Sequence, residues 1–321
     1  MTVLSITHTD LDGVASSAVL LRAWNVNDYT VAFTEPDSLH LTLRSFRRRM
    51  QEVELIAITD LGPNPAIFED ALEILSSARK RGKRVVWIDH HVWRDEWKNA
   101  ALHSNIELKL NEDLCATGIA AEEAKGDSYI ADLAKITCSA DQWRFDEPLS
   151  PFLVRYVGFS RDPSWLTKVH RAFLSSESID SLMKLAIPRA IEIHELELRN
   201  IKSFIEKVFL LESGKLKIAI GIKKEPEISS SLLGQFMLAR FNADIAVIVN
   251  ERGKLEFRSN RCNVRNIAYE LGGGGHPKAS GSPIPTYAKF AMKLMPSKVG
   301  ISLVARIVRN AVERVGCVSV Q

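Results

Sequence analysis

The stretch TVLSITHTDLDGVASSAVLLRAW, residues 2–24, indicates how the chain begins to fold. Its first six residues, 2–7, form a short apolar run that favours a β-strand. A polar cluster interrupts this run, and residues 13–24 then carry apolar side chains at helical spacing. The stretch therefore predicts a strand, a loop and a helix in that order.

The same pattern returns twice in the first half of the chain. The apolar run at residues 53–59 stops at Asp60 and is followed by a helical stretch at 66–81. A further run at residues 84–88 stops at Asp89. Continuous apolar runs are typical of parallel strands that are covered on both faces. We therefore expect an open parallel sheet whose acidic strand ends meet at one edge.

The second half of the chain predicts a smaller domain behind a helical linker. Residues 188–211 have the spacing of a long amphipathic helix with mixed charges, which is typical of an element that joins two domains. Beyond it, the patterns predict strands and helices at 216–222, 230–242, 244–250, 254–260, 264–271 and 298–315. The expected fold class is α/β: a first domain with an open parallel sheet, a long helical linker and a smaller α/β domain, at 1–187, 188–213 and 214–321.

Length and composition are those of a globular protein of about two domains. The 321 residues are 46% apolar and 25% charged, and the net charge of +3 is too small to indicate a nucleic-acid scaffold. No apolar run approaches membrane-spanning length, and polar residues interrupt the N-terminal run before it reaches the length of a signal peptide. The widely spaced cysteines favour reduced, packed thiols: Cys115, Cys138, Cys262 and Cys317. We expect a cytoplasmic protein with no membrane partner.

Eight acidic and histidine residues are candidates for a metal centre: His8, Asp10, Asp12, Asp60, Asp89, His90, His91 and Asp141. Oxygen and imidazole donors of this kind suit Mn²⁺ or Mg²⁺, and their number is sufficient for two ions that share a carboxylate. Taken singly, Asp12 could cap a helix and Asp60 could belong to a turn. The run Asp89, His90 and His91 after an apolar strand has no obvious packing purpose, and it makes the set specific.

Four ordered segments, HTDLDG, TDLGP, IDHH and SADQWR, resemble the motifs of the DHH superfamily of phosphoesterases. This superfamily includes single-strand exonucleases, nano-RNases, phosphoadenosine-phosphate phosphatases and cyclic-dinucleotide phosphodiesterases, which typically use manganese. The first histidine, His8, stands two residues before Asp10, whereas in several members it stands four residues before. The helical surroundings of Asp141 leave Asp132 and Asp146 open as alternatives.

The resemblance implies a role for each motif residue. One ion would be held by His8, Asp10 and Asp60, and the other by Asp12, Asp60, His90 and Asp141. The bridging residue would be Asp60. His91 would contact the scissile phosphate, and Asp89 would orient a neighbouring histidine.

A run of four glycines, Gly272 to Gly275, precedes His276, Pro277 and Lys278. We expect a flexible loop in which backbone amides approach a phosphate, although a helix cap is the alternative. With the upstream FRSNRCNVRNIAYE, the run resembles the C-terminal substrate-binding domain of many DHH proteins. The resemblance implies that the substrate contacts Arg258, Gly273, Gly274, Gly275 and His276, with Lys278 as a further candidate.

The expected function is that of a manganese-dependent phosphoesterase acting on short single-stranded RNA or DNA, clasped between the two domains. The cofactors would be two divalent ions, with Mg²⁺ or Co²⁺ as alternatives to Mn²⁺. The rival enzymes are a phosphoadenosine-phosphate phosphatase and a cyclic-dinucleotide phosphodiesterase. A catalytically inactive nucleic-acid-binding or regulatory subunit is the alternative from another class. A homodimer is one expected assembly.

Other features favour plainer interpretations. The run of arginines at 44–49 is interpreted as a solvated helix face rather than a nucleic-acid strip. His40, His103 and His170 are expected at the surface. The chain has neither a P-loop nor a nucleophile-elbow motif, so water activated by metal remains the expected nucleophile.

Overall fold

The computed structural model describes residues 1–124, 126–223, 229–250, 253–294 and 297–320. The chain divides into two compact units, Met1–Ile191 and Glu192–Gln321. The boundary falls inside the region expected to link the domains, within a 27-residue helix. The α/β class predicted from the sequence is confirmed.

The first unit is built on a five-stranded parallel sheet with the order β2-β1-β3-β4-β5. Its strands are β1 Thr2–Thr7, β2 Asp28–Phe33, β3 Leu55–Thr59, β4 Arg84–Asp89 and β5 Glu107–Leu110. All residues of β3 are buried, as expected for a central strand covered on both faces. Because all five strands run in one direction, their carboxyl ends lie along one edge.

Helices cover both faces of this sheet. In chain order they are α1 Leu11–Ala23, α2 Leu39–Ser45, α3 Arg49–Glu52, α4 Phe68–Lys80, α5 Asp95–His103, α6 Ala116–Ala121, α7 Ser128–Asp141, α8 Ser150–Val157 and α9 Pro163–Ser175, with a short 3₁₀ helix at Pro36–Ser38. One core, with Val14, Leu133 and Val169, packs α1, α7 and α9 against one face. The other core contains Leu43 of α2 and Leu75 of α4.

The second unit contains a six-stranded mixed sheet with the order β10-β11-β9-β8-β7-β6. Only β7 and β8 pair in parallel among its described strands. Its elements are β6 Phe209–Ser213, β7 Leu216–Ile222, α11 Ser230–Phe241, β8 Ile245–Val249, β9 Lys254–Arg258, α12 Val264–Glu270, β10 Gly274–Gly275, β11 Ala279–Pro283, α13 Thr286–Leu294 and α14 Ser297–Val315. Buried side chains from its strands, α12 and α14 form a separate core.

The long helix expected at 188–211 is displaced. The observed helix, α10, spans Ile179–Ile205, and its first turns bury Leu182, Met183 and Ala186 in the core of the first unit. Pro188 lies inside the helix and does not begin it. The chain then enters β6, because residues 209–213 pair with β7. The edge strands β2 and β5 lack continuous apolar runs and were not predicted.

The expectation of four reduced cysteines is wrong. Cys115 and Cys138 form one disulfide, and Cys262 and Cys317 form another. In each pair the fold joins segments distant in sequence: α6 packs on α7, and Cys262 forms an isolated antiparallel bridge with Ser319. The cysteine pattern therefore no longer supports the expected cytoplasmic location, which stays a prediction.

His170 was expected at the surface but is fully buried. Its Nε2 lies 3.0 Å from Ser17 Oγ, which lies 2.7 Å from Ser5 Oγ. The apolar face of α9 carries the imidazole into the core, where the hydroxyl of Ser17 contacts its Nε2 and is itself paired with the hydroxyl of Ser5. His103 is exposed, as expected. Among the described helices, none combines the length and apolar character needed to cross a bilayer.

Candidate metal centre

The predicted motif residues sit at the carboxyl edge of the parallel sheet or on helices that reach it. His8 follows β1, Asp60 follows β3, and Asp89 is the last residue of β4. Asp10 and Asp12 begin α1, while Asp141 is the last residue of α7. Residues from separate segments are therefore brought to one place by the topology alone.

One group of donors forms around His8. Ligand atoms of His8, Asp10 and Asp60 lie within 4.8 Å of one another. His8 Nδ1 is 3.0 Å from Asp10 Oδ2 and 3.4 Å from Asp60 Oδ2. This close packing depends on Gly13, because a Cβ there would lie 2.6 Å from the Cβ of His8.

A second group forms around His90, whose side chain is buried. Ligand atoms of Asp12, His90 and Asp141 also lie within 4.8 Å of one another. His90 Nε2 is 3.5 Å from Asp12 Oδ2, and His90 Nδ1 is 3.6 Å from Asp141 Oδ2. His90 Nδ1 also lies 3.0 Å from the carbonyl of Leu114. If Nδ1 donates its proton to that carbonyl, the lone pair of Nε2 faces Asp12 and Asp60.

Asp60 presents one oxygen to each group. Its Oδ2 faces His8, and its Oδ1 lies 3.2 Å from His90 Nε2. The residue is only 2% exposed, and Oδ2 accepts no hydrogen bond among the described residues. Its φ of 57° is left-handed, a conformation that is uncommon for a residue with a side chain and is often found at functional sites. Asp60 therefore forms the turn expected after β3 and also directs its carboxylate at both groups of donors.

Asp12 is buried, and its carboxylate is bound by hydrogen-bond donors from another helix, α6. It accepts hydrogen bonds from the amides of Ala116 and Thr117, at 2.7 and 2.8 Å, and from Thr117 Oγ1 at 2.6 Å. The helix-capping role considered for Asp12 belongs to Asp10, whose Oδ1 accepts from the amide of Gly13. Asp12 is therefore oriented by the start of α6 and points away from its own helix terminus.

Asp89 and His91 form a pair beside the two groups. His91 Nδ1 lies 2.8 Å from Asp89 Oδ1, and Trp93 Nε1 donates to Asp89 Oδ2 at 2.6 Å. The side chain of Asp89 is fully buried, whereas that of His91 is about one third exposed. Although burial alone would raise it, the pKa of Asp89 is lowered by the charge and hydrogen bond of His91. A fixed carboxylate thus orients an imidazole that reaches solvent.

The alternatives to Asp141 lie elsewhere. Asp132 is exposed on α7, and Asp146 pairs with Arg144 at the surface. Only Asp141 of the three lies beside His90.

Burial and neighbouring charges shift the pKa values of the residues in these two groups. Burial, together with the nearby charge of Asp141, raises the pKa of Asp12 to about 6. Burial also raises the pKa of Asp141 to about 6, against the opposing charge of His90. Burial lowers the pKa of His8, but the charge and hydrogen bonds of its carboxylate neighbours raise it well above the ordinary value. Divalent cations would compete with protons for these carboxylates and imidazoles. The residues therefore fit a pair of divalent ions with oxygen and imidazole ligands.

Comparison with known protein families finds a match within the first unit. Residues 2–140 match the DHH family, N-terminal domain. This match lies within the first unit, Met1–Ile191. A search of curated proteins found no significant match to this chain.

Solved structures with the same fold share little sequence with this chain. RecJ in complex with Mn²⁺ from Thermus thermophilus is 15% identical with a TM-score of 0.53, and the alignment covers 97% of this chain and 52% of RecJ. The pGpG-specific phosphodiesterase PggH from Vibrio cholerae is 16% identical with a TM-score of 0.52, covering 96% and 99% of the two chains. The DHH domain of a protein described as a member of a family of ribosomal proteins is 14% identical with a TM-score of 0.60, covering 95% and 87%. At such identities the likeness concerns the fold.

In the second unit, the glycine run differs from the flexible loop that was expected. Gly272, with a φ of 76°, follows the C-cap residue of α12, and the amide of Gly273 donates to Ala268 O at 2.8 Å. Gly274 and Gly275 form β10, which pairs with β11. A side chain at Gly273 would collide with the backbone carbonyl of Gly281, so close strand contact requires a glycine there. The run combines the helix cap that was considered with a short strand.

The other predicted substrate residues lie near this strand. Arg258 ends β9, and its register partner is Ala279 of β11. Its Nη2 donates to Ser231 Oγ at 3.1 Å. The amide of His276 donates to Ala279 O at 2.8 Å, and Lys278 O accepts from the amide of Ser259. Arg258 and the segment 276–279 are thus neighbours within the second unit.

Two residues that contact the metal-centre side chains escaped the sequence analysis. Thr117 holds Asp12, and Glu35 lies 3.3 Å from His8 Nε2 through its Oε2. The hydrogen bond from His8 lowers the pKa of Glu35 to about 2, so the carboxylate is ionised at neutral pH. Glu35 follows β2 much as Asp60 follows β3, and recognising that edge strand would have revealed it. Nothing in the sequence around Thr117 points to the site.

Proposed function

We propose that the chain is a metal-dependent phosphoesterase that hydrolyses phosphodiester bonds of short single-stranded oligonucleotides. The observation that carries the proposal is Asp60, whose two oxygens face two separate groups of nitrogen and oxygen donors. Such an arrangement suits two ions that share one carboxylate. The family of the first unit and the fold shared with RecJ and PggH support the same class of reaction.

The side chains of the first unit take distinct roles in this proposal. His8, Asp10 and Asp60 would hold one ion, and Asp12, Asp60, His90 and Asp141 the other. Bound ions would neutralise the phosphate oxygens and lower the pKa of a water molecule. We favour Mn²⁺, the ion present in the RecJ structure, with Mg²⁺ or Co²⁺ as alternatives.

His91 would act on the scissile phosphate. Its Nδ1 faces Asp89, and in this proposal its Nε2 would donate a hydrogen bond to a phosphate oxygen. The charge of Asp89 favours the protonated imidazole, which strengthens that hydrogen bond. Asp89 therefore acts through His91 as a positioning residue.

The second unit would bind the rest of the substrate. Arg258 offers a planar guanidinium suited to a phosphate, and His276 and Lys278 lie on the strand connection beside it. The glycine run would leave space for the substrate more than it would donate hydrogen bonds to it, at Gly273, Gly274 and Gly275. The amides of Gly273 and His276 already donate within the unit. The cytoplasmic location and a homodimer remain predictions.

A linear dinucleotide is the substrate we would test first among oligonucleotides. PggH, which shares the fold over 99% of its length, is described as specific for pGpG, a molecule with one internal phosphodiester. Phosphatase activity on adenosine bisphosphate and cleavage of cyclic dinucleotides remain alternatives with the same metal centre.

The test is a substrate panel on the purified, chelator-treated full chain. RNA and DNA of two to five nucleotides, a 20-mer, pGpG, adenosine 3′,5′-bisphosphate and a cyclic dinucleotide are each incubated with Mn²⁺, Mg²⁺ or Co²⁺. We expect metal-dependent hydrolysis, fastest with the di- to pentanucleotides. Preferred cleavage of the bisphosphate or the cyclic compound would replace the proposed substrate. Metal binding without turnover of any compound would indicate the non-catalytic subunit.

A further inference from the structure

Glu35 occupies the side of His8 that faces away from the carboxylates of the metal centre. His8 Nδ1 points to Asp10 and Asp60, at 3.0 and 3.4 Å. The opposite ring nitrogen, Nε2, lies 3.3 Å from Glu35 Oε2. The two nitrogens of one imidazole are therefore divided between the metal-facing carboxylates and an outer carboxylate.

This division determines which nitrogen can bind a cation. A neutral imidazole carries its proton on one nitrogen and offers a lone pair on the other. A carboxylate next to Nε2 favours the proton on Nε2, which leaves the lone pair of Nδ1 directed at Asp10 and Asp60. Without that acceptor, His8 could place its proton on Nδ1 and donate it to Asp10.

Glu35 is itself held by other residues. Thr9 Oγ1 donates to Glu35 Oε1 at 2.8 Å, and Arg161 Nη1 lies 3.4 Å from the same oxygen. The side chain of Glu35 is 28% exposed, whereas that of Arg161 is 66% exposed. Thr9 thus fixes the carboxylate from the strand-end loop itself, and Arg161 adds a more exposed charge from the loop before α9.

We propose that Glu35 is a positioning residue that holds His8 with Nδ1 available to a divalent cation in the group formed with Asp10 and Asp60. The proposal rests on the proposed function, because it assigns that group to a metal ion. The second group needs no such carboxylate, since the carbonyl of Leu114 takes the corresponding position beside His90.

The first measurement is Mn²⁺ binding to the chelator-treated full chain by calorimetry. We expect Glu35→Ala to weaken one of two binding events by about 10- to 100-fold and to leave the other unchanged. Glu35→Gln keeps an acceptor oxygen and should fall between Glu35→Ala and the wild type. Glu69→Ala removes an equal charge from an exposed position on α4 and should bind as the wild type does.

Arg161→Ala separates the two contacts of Glu35. If Glu35 acts through His8, this variant retains Mn²⁺ binding within about twofold of the wild type, since the hydrogen bond from Thr9 remains. A loss as large as that of Glu35→Ala would instead assign the effect to the Arg161 contact and overturn the proposal.

The second measurement follows the His8 ring directly. Nitrogen NMR of the ¹⁵N-histidine protein, with His8 assigned through His8→Gln, reports which ring nitrogen carries the proton. With Mg²⁺ bound, the wild type should have the proton on Nε2, and Glu35→Ala should lose this preference. A merely structural role would lower stability without changing the tautomer.

The outcomes distinguish this inference from the function on which it rests. A wild-type chain that binds no Mn²⁺ would overturn the metal centre itself. Two-site binding by the wild type, with equal affinities and the same His8 tautomer in Glu35→Ala, would leave the metal centre intact and refute the role of Glu35.

Discussion

The acidic edge of the first unit and the glycine segment of the second unit satisfy their polar groups in opposite ways. At the edge, Asp12 and Asp60 are buried within reach of each other's charge, and one oxygen of Asp60 accepts no hydrogen bond among the described residues. In the glycine segment, the amides of Gly273 and His276 donate to carbonyls of the same unit. Buried like charges require a partner from outside the chain, whereas close backbone contacts are already satisfied by the fold. The first region thus indicates a ligand more strongly than the second.

Among the variants proposed here, Asp60→Asn is expected to have the largest effect on hydrolysis, because it changes the acidic edge of the first unit. The substitution keeps the shape and tolerates the left-handed backbone, but it removes the charge shared by the two donor groups. Hydrolysis should fall by more than about 100-fold, since loss of even an outer partner of a ligand costs roughly 10- to 100-fold. Without metal, the variant should be at least as stable as the wild type, because fewer like charges are buried.

Activity assays and thermal unfolding with and without Mn²⁺ check both parts. Mn²⁺ should raise the Tm of the wild type but not that of Asp60→Asn. Asp132→Asn, at an exposed position on α7, is the matched control and should behave as the wild type. Full activity in Asp60→Asn would show that the two groups do not share a carboxylate.

The two disulfides allow the first and second units to be compared, because each unit contains one of them. The comparison measures the free energy of unfolding and the affinity for Mn²⁺. Removing either pair, as Cys115→Ser with Cys138→Ser or Cys262→Ser with Cys317→Ser, should lower the free energy of unfolding by about 3 to 4 kcal/mol. Only the first pair should also weaken Mn²⁺ binding, because Cys115 directly precedes the amides of Ala116 and Thr117 that hold Asp12.

Denaturant unfolding and calorimetry on the two double variants make this measurement. Equal Mn²⁺ affinity in both would mean that α6 keeps Asp12 in place without the disulfide, and the link between Cys115 and the metal centre would be refuted.

His170 gives a pH effect in the first unit that does not depend on the metal centre. Burial lowers the pKa of His170 to about 4, so the folded protein keeps the ring neutral where the unfolded chain protonates it. Its contribution is fully present above a pH of about 6.5 and is lost as the pH falls from about 6.5 to about 4. The loss amounts to at most about 3 kcal/mol.

Denaturant unfolding between about pH 7 and about pH 4.5, in the wild type and in His170→Gln, isolates this effect. The variant should be less stable at neutral pH but should depend less on pH over that range. Identical pH slopes would mean that His170 is not held neutral in the folded state.

His276→Ala is expected to have the smallest effect. It tests whether the glycine segment of the second unit binds substrate. If His276 binds substrate, KM should rise about 10-fold, equivalent to about 1.4 kcal/mol, while kcat and Mn²⁺ affinity change little. Arg258→Ala should act in the same direction, and Arg306→Ala, at an exposed position on α14, is the control. Unchanged KM in both His276→Ala and Arg258→Ala would remove the substrate role of this region.

The sequence by itself determined the central strands and the acids that follow them. The continuous apolar runs before Asp60 and Asp89 predict buried parallel strands, because such strands must be apolar on both faces. It also predicted that Asp10, Asp12, Asp60 and Asp89 would lie close together, since the carboxyl ends of parallel strands meet at one edge, whereas Asp141 was favoured over its neighbours by motif resemblance. Those inferences need only local pattern and the geometry of one kind of sheet.

Only the tertiary structure decided which distant segments meet at each position. Glu35 beside His8, Thr117 beside Asp12, the burial of His170 and both disulfides depend on contacts between segments that no local pattern links. The glycine run likewise takes its form from the neighbouring strand β11, which leaves no room for a side chain at Gly273. Local sequence determines the strands and helices, but the partner of a side chain is determined by packing across the whole unit.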